Sequence, residues 1–291
     1  MPNIEPEITV VNVFTDRGRG GNPCPIVLDA TAMTSEQMQG IARRYGYESA
    51  FLIPPKDEQS LHQLRYFVPA HEMEMCGHAT LGTGWLLRTH GLVPPSLLTM
   101  QTLAGDVTVD MRAARIRISQ PAAQVQTLDA TATAAVLDVL NLSPEMLANT
   151  RILNATTTRP KTLVQLASPE ILDGLQPRFA DMASLCERIG STGLYPFVED
   201  TDDPLTFHAR QFPKASGYPE DAATGIAATA LFGALPIFGI RVPPDAAISV
   251  RQGKAMGRPS CMYIEHQSKT SVAAGCWLSG DVTPETSIGR A

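Results

Sequence analysis

The sequence predicts an α+β protein assembled from two similar halves. Three observations carry this. Short β-branched and apolar runs alternate with helical segments along the whole chain, and its 291 residues are enough for two domains of about 145. Phe67-Val68-Pro69 is followed eleven residues later by Thr80, at the head of a helix of small residues. Phe212-Pro213 is followed at the same distance by Thr224, also at the head of such a helix, 144 positions beyond Thr80. Each half therefore reads as strand, proline, loop, then a buried helix.

The elements follow in order. Ile8 to Phe14 is β-branched and reads as a strand, Asp16 to Pro23 as a Gly-rich turn, and Pro25 to Leu28 as a resumed strand. Thr34-Ser-Glu-Gln37 fits a capping box opening a helix to Tyr45, with Gly46 as its stop. Extended segments are expected at Glu48 to Ile53 and Leu64 to Val68, and a helix at Ala79 to Thr89 closed by Gly91. Strands are expected at Leu97 to Thr102, Val107 to Met111 and Arg115 to Ser119. Gln120 to Thr133 has no clear period and is read as the crossing between domains, so the halves are 1–119 and 120–280, with 281–291 packing back on the first. Two helices are expected within Ala134 to Asn149. Strands follow at Lys161 to Leu166, Leu194 to Val198, Leu205 to Gln211, Ala247 to Arg251, Cys261 to Glu265 and Val272 to Leu278, with a helix at Ala223 to Phe232.

Composition excludes several functions. A net charge of -6 without a basic face argues against nucleic acid, and no run of five Lys or Arg exists to hold an anionic membrane. No stretch of 18 apolar residues can span a bilayer, and Met1-Pro-Asn-Ile-Glu-Pro-Glu is not a secretory leader, so a cytoplasmic location is expected. The five cysteines are odd in number and form no C-x-x-C, against a disulfide framework or structural zinc. Gly18 to Gly21 lacks the dinucleotide-loop spacing, and neither a Walker A loop nor a G-x-S-x-G elbow occurs.

The chemistry concentrates at two helix starts, Cys76-Gly-His-Ala-Thr-Leu-Gly-Thr-Gly-Trp85 and Asp221-Ala-Ala-Thr-Gly-Ile-Ala-Ala-Thr-Ala230. A helix start offers unpaired N–H groups and about half a positive charge, and small residues let a ligand approach the backbone. Two such ends suit a carboxylate and a developing enolate-like anion; the same residues also suit two tightly packed helices with no ligand. Glu48, heading an apolar strand, can be desolvated into the range useful for proton transfer, or can be an ordinary edge glutamate. His78 and Asp221, just before their helices, can bind a substrate or merely cap. His71-Glu-Met-Glu-Met-Cys-Gly-His78 holds five potential metal ligands, but its spacing matches no zinc motif and the loop is too short to wrap four of its own side chains around an ion, so no metal is expected. Cys76 invites a two-thiol racemase reading. The matching place in the second half, Glu220-Asp221-Ala222-Ala223, has no cysteine, which leaves at most a thiol–carboxylate pair.

Seven ordered motifs resemble the PhzF-like family of phenazine-biosynthesis isomerases: Gly-Gly-Asn-Pro-Cys-Pro-Ile-Val (20–27), Glu-Ser-Ala-Phe (48–51), Arg-Tyr-Phe-Val-Pro (65–69), Cys-Gly-His-Ala-Thr-Leu-Gly (76–82), Glu-Asp-Ala-Ala-Thr-Gly (220–225), Gln-Gly (252–253) and Met-Gly-Arg-Pro-Ser (256–260). The resemblance implies the diaminopimelate-epimerase-like fold: two pseudo-symmetric half-domains, each a curled, mostly antiparallel sheet around a central helix, with the active site between them. It implies a cofactor-free reaction on a small carboxylate-bearing metabolite, and a homodimer. It makes Glu48 the acid/base that moves a proton between two carbons of one substrate. His78, Asp221, the backbone at Gly77, and Thr224 with Gly225 would bind that substrate, with Cys76 beside them. The best-known family reaction isomerises trans-2,3-dihydro-3-hydroxyanthranilate. Three departures point away from that substrate: Ile226 stands where those enzymes carry a carboxylate-binding serine, Cys76 where they carry alanine, and Ala255 where a glutamate is frequent. A non-catalytic binding protein on the same scaffold, and a racemase using Cys76, are the competing readings.

Overall fold

The computed structural model describes residues 6–55, 61–268 and 275–285. The chain divides into two compact units, Met1–Ser119 with Ser279–Ala291, and Gln120–Leu278.

In the first unit, β1 (Thr9–Thr15) pairs antiparallel with β2 (Asn22–Val27). The Gly-rich turn is shorter than expected, because β2 takes in both Pro23 and Pro25. Neither proline has an N–H to donate, and the parallel ladder from β2 to β3 (Ser49–Ile53) begins only at Ile26. The crossover between these parallel strands is α1 (Ser35–Tyr45), with the capping box formed at Thr34 and Gln37 and a left-handed Gly46 (φ 71°) as its stop. Strand β4 (His62–Phe67) pairs antiparallel with β3 and with the short β5 (Glu72–Met73). Helix α2 (Gly77–Thr89) then leads to β6 (Leu97–Thr102), parallel to β4, followed antiparallel by β7 (Gly105–Asp110) and β8 (Arg117–Gln120).

The second unit repeats the plan. Strand β9 (Gln124–Thr127) and helix α3 (Ala130–Leu140) precede β10 (Leu147–Thr156), which pairs antiparallel with β11 (Pro160–Leu166). Helices α4 (Pro169–Asp173) and α5 (Phe179–Arg188) cross over to β12 (Gly193–Glu199), parallel to β11. Strands β13 (Thr206–Ala209) and the short β14 (Phe212–Pro213) both run antiparallel to β12. Helix α6 (Gly225–Phe238) leads to β15 (Ala247–Gln252), parallel to β13, and β16 (Ser260–His266) closes antiparallel to it. After β17 (Cys276–Ser279) the chain returns to the first unit, where β18 (Asp281–Pro284) pairs antiparallel with β1.

The ladders β1–β2–β3–β4–β6–β7 and β10–β11–β12–β13–β15–β16 share one order: antiparallel, parallel, antiparallel, parallel, antiparallel. The first parallel crossover carries one helix in the first unit and two in the second, and the second crossover carries one buried helix in each. Helix α2 touches β1, β2, β3 and β7, and α6 touches β9, β10, β11 and β16, so each sheet wraps its own helix. Glycine permits this closeness. A Cβ on Gly84 would lie 2.8 Å from Val109 Cγ1, and one on Gly233 would lie 2.5 Å from the Ala123 methyl. The fold is therefore α+β, as expected, with a mixed sheet in each unit.

Several local expectations are corrected. Only one α-helix, α3, lies near Ala134–Asn149. It starts earlier, at Ala130, where Asp129 accepts the N–H of Ala132, and residues 147–149 already belong to β10. The stretch read as a structureless crossing contains β9. Helix α5 and strand β10 were not expected at all. Helix α6 runs beyond Phe232 to Phe238, passing Pro236 near its end and stopping at a left-handed Gly239. Of the strand expected at Val272 to Leu278, residues 272–274 lie outside the described residues, as do 286–291 of the returning segment. No described helix is long and apolar enough to cross a membrane.

Candidate active site

Glu48 is the residue immediately before β3, in the tight connection from α1. Gly46 turns the chain there, and Ser49 Oγ donates to the Tyr47 carbonyl at 3.1 Å. Its side chain is 18 % exposed, so the carboxylate is largely desolvated yet reachable. Cys76 is the N-cap of α2, with extended backbone and no side-chain capping bond. His78 is therefore in the first helical turn, not ahead of the helix as the sequence suggested. The glycine at position 77 disguised the true start because glycine is a poor helix former.

The three side chains meet. Glu48 Oε2 lies 3.4 Å from His78 Nδ1, Cys76 Sγ lies 3.1 Å from the same nitrogen, and one donor atom from each falls within 4.8 Å of the others. Cys76 and His78 are both buried. The rest of the His71–His78 loop does not join them: Glu72 is held by Arg65 at 2.7 Å instead. Cys24, fully buried, has its thiol pushed well up, first by burial and then by the negative charge of Glu48, so it stays protonated beside the cluster. Tyr66, also buried, shares a 2.7 Å hydrogen bond with Thr80 Oγ1, and Thr80 donates to the Cys76 carbonyl at 2.8 Å. Burial raises the Tyr66 phenol, which keeps its proton for that bond. The Gly77 and His78 amides precede the first intrahelical bond, made by Thr80 N to Cys76 O at 3.0 Å, and lie at the positive end of the helix.

In the second unit, Asp221 does not cap α6. The N-cap is Thr224, three residues on, and its hydroxyl donates to Asp221 Oδ2. Gln252, at the end of β15, reaches both residues: its Nε2 donates to the Asp221 carbonyl at 2.7 Å and to Thr224 Oγ1 at 3.1 Å. Its Oε1 accepts from the buried Tyr195 hydroxyl at 3.0 Å. Ser260 Oγ donates to the Ala222 carbonyl at 2.6 Å. Gly225 opens α6, with Ile226 buried beside it. A cavity of about 310 Å³ in this unit, lined by Ala123, Phe232, Pro236, His266 and Cys276 among others, is mostly apolar and touches none of these groups.

Glu48, Cys76, Gly77, His78, Asp221, Thr224 and Gly225 are the site residues expected from the sequence. Tyr66, Thr80, Tyr195 and Gln252, the buried polar groups that hold the helix starts, are not among them. Tyr66, Thr80 and Gln252 sit within motifs noted above, and polar residues in otherwise apolar strands were the available signal.

Each half of the doubled sheet wraps one helix, and Glu48, Cys76 and His78 meet at one of the two helix starts. Likeness to known proteins assigns the class. The family described as PhzC-PhzF, phenazine biosynthesis-like protein, matches residues 11–280, and the chain belongs to that family. The uncharacterized isomerase YddE of Salmonella typhimurium is 29 % identical over 291 residues, covering 95 % of both chains. An uncharacterized isomerase of Deinococcus radiodurans is 30 % identical over 274 residues, covering 88 % of this chain and 85 % of its own. The crystal structure of a PhzF-family phenazine biosynthesis protein from Bacillus anthracis superposes with a TM-score of 0.80 over 95 % of this chain and 96 % of its own, at 24 % identity, a likeness of fold. The protein is an isomerase or epimerase of the PhzF type.

Proposed function

We propose that this isomerase moves a proton between two carbons of a small carboxylate-bearing metabolite, with Glu48 as base and then acid and without a cofactor. The single supporting observation is the placement of Glu48: mostly desolvated, still reachable, and 3.4 Å from a buried imidazole nitrogen. A carboxylate so placed is within reach of a substrate proton, with a buried imidazole beside it to hold its orientation. The Gly77 and His78 amides at the α2 start offset negative charge developing on the substrate. Asp221, Thr224 and the Gly225 amide are proposed as further substrate-binding groups. Ile226 and Ala255 favour a substrate other than dihydrohydroxyanthranilate.

The test is proton exchange in deuterated water with a panel of small hydroxy- and amino-carboxylates. The wild-type chain incorporates deuterium into its substrate, and Glu48→Gln slows incorporation by about 10²- to 10⁴-fold. A Glu48→Gln chain exchanging at the wild-type rate overturns the reading.

A second reading, a thiol–carboxylate racemase, draws on the 3.1 Å contact between Cys76 Sγ and His78 Nδ1, which allows the imidazole to accept the thiol proton. A Cys76→Ala chain with full activity removes it. A cytoplasmic homodimer is proposed as the working state, and light scattering of the purified chain tests the dimer.

A further inference from the structure

The three donors around His78 have a property that proton transfer alone does not require. They are chemically distinct, they converge on one point, and together they balance a dication. We propose that Glu48, Cys76 and His78 form a binding site for a soft divalent cation of the zinc class, and that such an ion inhibits the enzyme by occupying its base.

The geometry is close to what the ion demands. Tetrahedral zinc, with about 2.3 Å to sulfur and about 2.0 Å to nitrogen and oxygen, holds its nitrogen and oxygen ligands about 3.3 Å apart and its sulfur and nitrogen about 3.6 Å apart. The observed separations are 3.4 Å for His78 Nδ1 to Glu48 Oε2 and 3.1 Å for Cys76 Sγ to His78 Nδ1. Cys76 Sγ and the Glu48 carboxylate lie within 4.8 Å of each other, so side-chain shifts of up to about an ångström close all three donors on one ion. Thiolate, carboxylate and neutral imidazole carry two negative charges against the ion's two positive ones, so the complex is neutral where Cys76 and His78 are 5 % and 4 % exposed. Binding releases the thiol proton to solvent, and the positive end of α2 favours the thiolate that remains. Two donors come from one helical turn, fixed through Thr80 and Tyr66, so little ordering is left to be lost on binding. Three protein ligands leave the fourth position for water. The His71–His78 loop is too short to wrap an ion by itself; the third ligand arrives from the connection just ahead of β3, 28 positions before Cys76 in the chain.

This inference needs no substrate and stands apart from the proton-transfer reading, because ion binding is measured on the resting chain. The reduced, metal-free full-length chain is titrated with Co2+, following the thiolate-to-cobalt charge-transfer absorption and the intense visible bands of a tetrahedral ion, and the Co2+ is then displaced with Zn2+. One equivalent per chain is expected, at a dissociation constant below about 10 µM. The charge-transfer band is lost in Cys76→Ser, and affinity falls at least tenfold in Glu48→Gln. Cys276→Ala, which changes a thiol outside the cluster, keeps the band and shows that a cysteine substitution as such does not abolish it. Absence of the band in the wild-type chain, its survival in Cys76→Ser, or an unchanged affinity in Glu48→Gln overturns the proposal.

Discussion

At the start of α2, a buried tyrosine bonds a threonine of the helix itself, and that threonine holds the carbonyl of Cys76 one turn back. At the start of α6, a buried tyrosine bonds Gln252, which arrives from the end of β15 and holds the carbonyl of Asp221 and the hydroxyl of Thr224. The two units thus reach the same mechanical result by different routes. The Thr80–Cys76 link of the first relay is local and forms with the helix, since the two are four residues apart, and Tyr66 joins it from β4. The second is long-range and forms only when β15 has docked. The unit with the local relay also carries the candidate base, where the geometry at Cys76 and His78 has to be reproduced most closely.

The largest contrast is expected from cutting each relay. Gln252→Ala strands the Tyr195 hydroxyl and removes two further bonds at α6, a loss of about 3 kcal/mol. Thr80→Val strands the Tyr66 hydroxyl but leaves the α2 backbone bond from Thr80 N in place, a loss of about 1.5 kcal/mol. Urea unfolding of the two variants measures the difference, and equal losses would break the distinction between local and long-range support. A smaller contrast separates the helix glycines. Alanine gains about 1 kcal/mol of helix propensity over glycine, while overpacking costs about 1–3 kcal/mol. At Gly84 the obstructing atom is the end of the Val109 side chain, which can turn aside; at Gly233 it is the methyl of Ala123, which moves only with its backbone. Gly84→Ala is therefore expected near neutral and Gly233→Ala destabilising by about 2 kcal/mol, read as shifts in the urea midpoint.

Alkali sharpens the comparison least. Burial holds Cys186 up to about 11 and Cys276 up to about 12 in the second unit. A thiol raised by folding keeps its proton in the native chain while the unfolded chain gives it up above about 8.5. Its stabilising contribution is complete below that pH and is lost as pH rises toward about 11, at about 1 kcal/mol per pH unit for each group. Melting temperatures recorded from pH 8 to 10.5 should fall, and Cys186→Ala should fall less steeply than the wild-type chain.

Much of this was legible from residues alone. The capping box at Thr34–Gln37 and the stop at Gly46 are local hydrogen-bond chemistry, and they formed as written. Helix α2 was placed one turn-fraction late because Gly77 hides a helix start that tertiary packing enforces. Helix α6 continues six residues past the expected end at Phe232: Gly233 admits Ala123 against the helix, and Pro236 falls where only the last turn is affected. The repeat spaced by 144 positions paired Thr80 with Thr224, whereas the structure matches the N-caps Cys76 and Thr224. The duplication was visible, but its register depends on which residue caps, and two different side chains take that place. The approach of Glu48 to Cys76 and His78 could not be read, because it arises from how β3 lies along β4 ahead of α2.

Strand β18 carries a consequence for how the protein is made. Its partner, β1, leaves the ribosome long before it, yet positions Val11 to Thr15 obtain this neighbour only when residues 281–284 have been translated. The amino-terminal half consequently waits for the whole second half before its sheet is complete. Order of synthesis and order of completion run in opposite directions here, and a nascent chain stalled short of residue 281 would display a partly unmatched strand to its surroundings.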